Sequence, residues 1–285
     1  MEVGSDIAGA QRALWNGVKG HGWVAAREAV DTMFAPMRDA LVAGARAASP
    51  SPRRVLDIGC GTGDVTLALA RALAPGGDCI GVDISAPMLA VARAESECRG
   101  LPVRFVEADA GRHAFAGPAF DRIVSRFGVM FFDDPAAAFS NLRRAAAPGA
   151  ALHALAWRDA AENPFMTTAE RAAAPHLPAR PSRRPDGPGQ FAFADPARVR
   201  RILEDGGWIE VDIRPADFAC ALPAARLDEV ITRLGPLGEV LPDADADSRA
   251  HLLATVRAAF APYVSGGTVR FTAACWTLAA RAPAA

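Results

Sequence analysis

The 285 residues are 51% hydrophobic and 22% charged, enough to bury a core of ordinary size and too apolar for wholesale disorder. The 31 Lys and Arg nearly balance the 32 Asp and Glu, for a net charge of −1, so there is no basic field to gather a nucleic-acid backbone. Glu2 and Asp6 stand where a secretory leader would be basic, and no uncharged run reaches bilayer length. A cytoplasmic protein without stable membrane insertion and without a nucleic-acid partner is therefore expected, with one nucleotide-type domain carrying a lid.

Residues 11–47 place Leu14, Trp15, Val18, Val24, Val30, Met33, Phe34, Met37 and Leu41 at helical spacing, interrupted by Gly17, Gly20 and Gly22. This predicts two helices joined by a flexible glycine segment, an N-terminal helical lid over 1–48. After the loop Ser49–Pro52, Val55–Ile58 is a short apolar run ending in glycines, as a buried parallel strand does. A helix over Thr66–Leu73, a stop at Pro75 to Gly77 and a strand over Cys79–Asp83 complete a βαβ period. The rhythm continues through helix Pro87–Glu95, strands Val103–Ala108 and Phe120–Ser125, helix Pro135–Ala146, the turn at Pro148 and Gly149, and strand Ala151–Trp157. Such alternation predicts an α/β, doubly wound, mostly parallel sheet covered on both faces.

The rhythm then breaks. Residues 158–194 carry one helical patch, Met166–Ala174, followed by Pro175, Pro178, Pro181, Pro185 and Pro188, and read as an inserted lid or loop. Asp195 and Pro196 form a helix start, and the helix ends at Gly206 and Gly207. Strands at Trp208–Asp212, extending toward Phe218, and at Thr268–Ala279 flank a helical stretch Leu227–Phe260, so a second insertion is expected at about 222–265.

Cys60, Cys79, Cys98, Cys220 and Cys275 are odd in number and lack any C-x-x-C pair, which suits reduced, mostly buried thiols and no structural metal. His21, His113, His153, His176 and His251 form no recognisable triad and no Ser lies in a G-x-S-x-G elbow, so hydrolase chemistry has no support. Asp57-Ile58-Gly59-Cys60-Gly61-Thr62-Gly63 joins the first strand to the first helix, where only small residues let a ligand approach the backbone. A dinucleotide fingerprint would need Gly at 64, which is Asp.

Val55–Gly63 resembles motif I of the class I S-adenosylmethionine-dependent methyltransferases, in particular of their ubiquinone and menaquinone C-methyltransferase-like group. Gly81–Leu89, Glu107–Ala110 and Phe120–Gly128 resemble that family's second-, third- and fourth-strand motifs, while Ala147-Pro148-Gly149-Ala150 departs mildly from its usual Arg-Pro-Gly-Gly. The likeness spans about residues 50–160 and extends loosely to the termini. It implies a seven-stranded Rossmann-like sheet with an antiparallel last strand, S-adenosylmethionine as cofactor, and methyl transfer to an O, N, C or S atom of a small molecule. A cofactor-binding enzyme with other chemistry and a non-catalytic binding protein are the alternatives.

By the same resemblance Asp83 would accept both ribose hydroxyls, with helix capping as its ordinary alternative. Asp109 and Ala110 would meet the adenine edge, and Ile84 and Met88 its faces, although Met88 also suits a plain core role. Asp57, Gly59, Cys60 and Gly61 would form the loop at the methionine end, and Ser125 and Arg126 would line that moiety with their backbone. The Arg126 guanidinium would either hold a substrate anion or be consumed by a salt bridge. Trp15, Trp23, Met130, Phe131 and Trp157 could wall the substrate pocket, as could Asn16, Phe132 and Phe165, with core packing the alternative for each. No residue is assigned as a base, and a homodimer is left open.

Overall fold

The computed structural model describes residues 3–47, 53–73, 76–117, 119–177 and 187–284; the expected loop Ser49–Pro52, Pro75, Pro178, Pro181 and Pro185 lie outside them. Four helices come first: α1 (Val3–Asn16), α2 (Val18–Ala25), α3 (Arg27–Met33) and α4 (Ala35–Ala47). Then β1 (Arg54–Ile58), α5 (Asp64–Ala72), β2 (Asp78–Asp83), α6 (Ala86–Cys98), β3 (Val103–Glu107), β4 (Phe120–Arg126), α7 (Pro135–Ala145) and β5 (Ala146–Trp157) alternate as the apolar runs require. The remainder is α8 (Pro164–Ala173), α9 (Pro196–Asp205), β6 (Ile209–Pro223), α10 (Leu227–Arg233), α11 (Gly235–Val240), α12 (Ala246–Phe260), the two-residue β7 (Val264–Ser265) and β8 (Thr268–Arg281).

The sheet runs β3-β2-β1-β4-β5-β8-β6, with β7 paired to β8. β1 lies parallel between β2 and β4, so that Leu56 sits beside both Ile80 and Ile123. β8 is antiparallel to β5 and to β6. The mostly parallel, doubly wound sheet with an antiparallel last strand is thus the observed architecture. Its topological switch point lies between β1 and β4, where the chain leaves β1 toward one side and β4 toward the other, and ligands of open α/β sheets bind outside the carboxyl ends there.

Helix boundaries follow local chemistry. Asp134 and Asp195 cap α7 and α9, accepting from Ala137 N and Ala197 N respectively, and each helix has Pro at its first position, where no N–H is needed. The helical stretch expected over Leu227–Phe260 is three α-helices, because Gly235 has a positive φ and Asp245 starts α12 by accepting from Ser248 N.

The N-terminal segment differs most from expectation. Four helices replace two, and Gly20 and Gly22 lie inside α2 instead of in a flexible segment. Contact distance explains both glycines. A Cβ on Gly20 would stand 1.9 Å from the Trp15 carbonyl oxygen, and one on Gly22 would stand 2.3 Å from that of Arg233. α1 and α2 lie over the carboxyl end of the sheet, whereas α3 and α4 bury Ala29, Val30, Met33, Phe34, Met37, Leu41 and Ala45 in the core. No described helix is long and apolar enough to cross a membrane. Gly20→Ala should therefore lower the melting temperature by several degrees, since the Trp15 backbone must move to admit a methyl group; an unchanged melt would contradict this packing.

Candidate functional site

A cavity of about 620 Å³ opens at the carboxyl ends of β1, β2, β3 and β4, under α1 and α2. Its base is the turn after β1. Gly59, Gly61 and Gly63 have φ of +65°, +55° and +88°, a region that side chains rarely adopt. At Gly59 the need is also steric, because a Cβ there would fall 2.6 Å from Gly128 Cα. Gly128 in turn follows Phe127, a non-glycine residue with φ +69°, held by a stacked contact with Trp157 at 4.4 Å between ring centres.

Asp83, the last residue of β2, fixes this turn. Its Oδ2 accepts from Gly61 N at 2.8 Å and its Oδ1 from Ser85 N at 2.9 Å. Each oxygen keeps a lone pair for a further donor in the cavity. Burial raises the Asp83 carboxyl above its ordinary range, against the opposing effect of these N–H bonds. Asp57 accepts from the Thr66 hydroxyl at 2.6 Å and, 1% exposed, is pushed up to about 7 by desolvation. It ties α5 to β1 as well as facing the cavity floor. On the far wall, Asp109 Oδ1 accepts from Gly111 N at 2.9 Å, presenting its loop beside Ala110.

Of the residues singled out from sequence, Asp57, Gly59, Cys60, Gly61, Asp83, Ile84, Met88, Asp109, Ala110 and Arg126 line this one cavity. Ser125 does not. Its buried hydroxyl donates to the Ile58 carbonyl and accepts from Gly128 N, so it latches β4 to β1 behind the turn. The Arg126 guanidinium is held by Asp64 at 2.7 Å and lies 3.9 Å from Asp31, and Arg38 also contacts Asp64 at 3.2 Å. Desolvation and the charge of Asp64 raise the Asp31 carboxyl to about 6, and its buried Oδ1 has no hydrogen-bond partner.

Among the aromatic candidates, Trp15, Trp23, Phe131 and Phe132 line the cavity. Trp15 stands edge-on to Trp23 and to Phe131, with ring centres 6.2 and 5.2 Å apart. Met130 and Trp157 do not line it: both are buried, the Met130 sulfur accepting from Trp157 N at 3.4 Å. Phe165 is likewise core, stacked on Phe271. Asn16 is a structural clamp beneath the cover. Sequence reasoning passed over Gln11 and Arg12, which share the cavity-facing side of α1 with Trp15; the i, i+3, i+4 spacing was the available signal. Glu107, quoted only as part of the third-strand motif, pairs with Arg12 at 3.7 Å across the cavity mouth, and Arg112, given no role from sequence, pairs with Asp133 at 3.1 Å. Four of the five thiols are buried and Cys98 is exposed, and no metal-ligating cluster exists among the described residues.

Comparison with known proteins places this geometry in a family. A methyltransferase-domain model matches residues 55–149. An uncharacterised protein of Mycobacterium tuberculosis is 32% identical over 201 residues, covering 70% of this chain and 67% of that one. A demethylmenaquinone methyltransferase of Thermus thermophilus is 46% identical over 102 residues, 36% of this chain and 46% of that enzyme, so the match spans about half the relative's length. The phosphoethanolamine N-methyltransferase 2 of Haemonchus contortus, solved with S-adenosyl-L-methionine, shares the fold at a TM-score of 0.59, with 17% identity over 96% of this chain and 60% of that one. The chain belongs to the class I S-adenosylmethionine-dependent methyltransferases. Within them its core is similar to the quinone C-methyltransferases, as motif I and the strand motifs imply.

Asp83→Ala should weaken binding of S-adenosylhomocysteine at least a hundredfold in calorimetry, roughly 3 kcal/mol for two lost charge-assisted bonds, with the fold retained. Because Asp57 holds its proton up to about pH 7 in the folded chain but only to about pH 4 when unfolded, its contribution to stability is lost as pH rises through that window. Urea unfolding should show stability falling between about pH 4 and about pH 7, and Asp57→Asn, which can still accept from Thr66, should flatten that slope; an equal slope in both would disprove it.

Proposed function

We propose that this chain transfers a methyl group from S-adenosylmethionine to a small-molecule acceptor, as a cytoplasmic enzyme without a nucleic-acid partner. The observation that carries the reading is the convergence, on one cavity, of the glycine turn, the Asp83 carboxylate with a free lone pair on each oxygen, and the Asp109–Ala110 loop. The cofactor fits these residues. Asp83 would take the ribose hydroxyls, Asp109 and the Ala110 N–H the adenine edge, Ile84 and Met88 its faces, and the turn at Gly59 and Gly61 the amino-acid end. The cavity wall also carries Asp83, Glu107, Asp109 and Asp133 against Arg12, Arg112 and Arg126, an acidic excess, before the largely protonated Asp57 is counted, that suits a cationic ligand.

When bound, the cofactor supplies an activated methyl group with its leaving group already attached. What remains for the protein is orientation and exclusion of water, worth roughly 7–11 kcal/mol for well-aligned partners. Trp15, Trp23 and Phe131 provide apolar faces over the cavity, and aromatic faces favour a neighbouring cation by roughly 0.5–2 kcal/mol each. Arg126 is engaged by Asp64, so its charge shapes the floor and is not a free anchor for a substrate anion. No side chain is assigned as a base, and transfer to carbon, oxygen, nitrogen or sulfur is equally served by this frame.

Incubation with methyl-labelled S-adenosylmethionine and a fractionated metabolite pool should label one small-molecule fraction, and Asp83→Ala should abolish the label. Tight cofactor binding with no labelled acceptor in any fraction would instead favour non-methyl chemistry or a binding protein.

A further inference from the structure

Asn16 ends α1 with both of its amide donors and one acceptor position in use. Nδ2 donates to the Arg12 carbonyl at 2.9 Å and to the Ile84 carbonyl at 2.8 Å, while Oδ1 accepts from Ala86 N at 2.8 Å. The last two bonds give residues 84 and 86 the donor and acceptor that a neighbouring strand would give them. Between them, the Ser85 hydroxyl donates to the Trp15 carbonyl at 2.6 Å, and the Ser85 N–H donates to Asp83 Oδ1. An unbroken chain of hydrogen bonds therefore runs from the carboxylate in the cavity to the helix above it. Gly20 lets α2 close onto the same point, since its Cβ would also come within 2.9 Å of Ser85 Oγ. Trp15, fixed from below by this chain, is the ring against which Trp23 and Phe131 stand.

We infer that Asn16 is a positioning residue that couples occupancy of the nucleoside subsite beside Asp83 to the seating of the α1–α2 cover. The inference rests on the reading of the cavity as a nucleoside site. The physical basis is a shared segment: residues 83–86 face the cavity with the Asp83 carboxylate and the Ile84 side chain, and face the cover with the Ile84 carbonyl, the Ser85 hydroxyl and the Ala86 N–H. A ligand that holds Asp83 in place holds this donor and acceptor pair in register for Asn16. Coupling is reciprocal, so a seated cover tightens nucleoside binding by the same factor. The coupling engages only the nucleoside half, so it acts alike on a cofactor and on its demethylated product. Any preference of the cover between those two must come from the aromatic faces.

The test uses the full chain with S-adenosylhomocysteine as the probe, read by hydrogen exchange and calorimetry. In the wild type, residues 9–25 should exchange about tenfold more slowly at saturating ligand. In Asn16→Ala the dissociation constant should rise about tenfold, and at saturation residues 9–25 should keep their ligand-free exchange rate while the turn after β1 becomes protected as in the wild type. Ser85→Ala removes the bond to the Trp15 carbonyl and keeps both bonds of Asn16 to residues 84 and 86, so it should fall between the two; it also serves if the Asn16 variant does not fold. Equal protection of residues 9–25 in wild type and variants at saturation would overturn the coupling while leaving the cofactor reading intact. Failure of the wild type to bind the probe would overturn the cofactor reading and the coupling with it.

Discussion

The carboxylate of Asp83 ties together the two loops that leave neighbouring strands, the turn after β1 and the segment after β2, beyond the point where the backbone bonds of Gly59 and Cys60 to Val82 end the ladder. Gly61 N–H belongs to the turn after β1 and Ser85 N–H to the loop after β2, and both point at the same side chain. Hydrogen bonds to an ionised acceptor are stronger than neutral ones, and here they are made in a buried place where an unpaired N–H would be costly. The glycine turn, the cavity-facing end of β2 and the roof over the cavity are thus all referenced to one residue at the end of one strand. Catalysis by positioning needs such a common reference, because small errors of placement between partners translate into large losses of rate.

Around this point the protein keeps charge close to apolar surface. Arg126 and Arg38 share Asp64, and Asp31 completes the group at longer range. A buried pair of this kind contributes little net stability, since desolvation offsets its attraction. Its consequence is geometric: the β4 end, the start of α5 and the α3–α4 layer are locked together under the cavity. Above, the aromatic rings of Trp15, Trp23 and Phe131 form a wall held in place by backbone contacts at Gly20 and Gly22 instead of by a hinge.

Much of this was legible in the chain. The parallel strands were visible as short apolar runs ending at glycines or acidic residues, and the cavity floor as motif I together with Asp83 and Asp109, since each residue's type is dictated locally. What was not legible depends on partners distant in sequence. Gly20 and Gly22 read as flexibility because sequence shows what glycine permits and not what stands beside it; their neighbours, the backbones of Trp15 and Arg233, become visible only when α1, α2 and α10 are assembled. Met130 and Trp157 read as wall residues because large apolar side chains serve cores and pockets alike; the bond between Trp157 N and the Met130 sulfur places them behind the wall. Ser125 has the strand position that suggests a backbone contact with a ligand, but the register of β4 on β1 sets it behind the turn, where its hydroxyl joins Ile58 and Gly128. Asn16 reads as a pocket-wall candidate beside Trp15; its role as a clamp depends on Ile84 and Ala86, 68 and 70 residues away in sequence.

The most direct test of the account is a crystal structure with S-adenosylhomocysteine bound. Both ribose hydroxyls should lie within hydrogen-bond distance of the Asp83 carboxylate, the adenine between Ile84 and Met88 with its edge at Asp109 and Ala110, and Asn16 should still bridge Ile84 and Ala86. A nucleoside bound elsewhere, or an Asp83 whose remaining lone pairs meet only water, would contradict it.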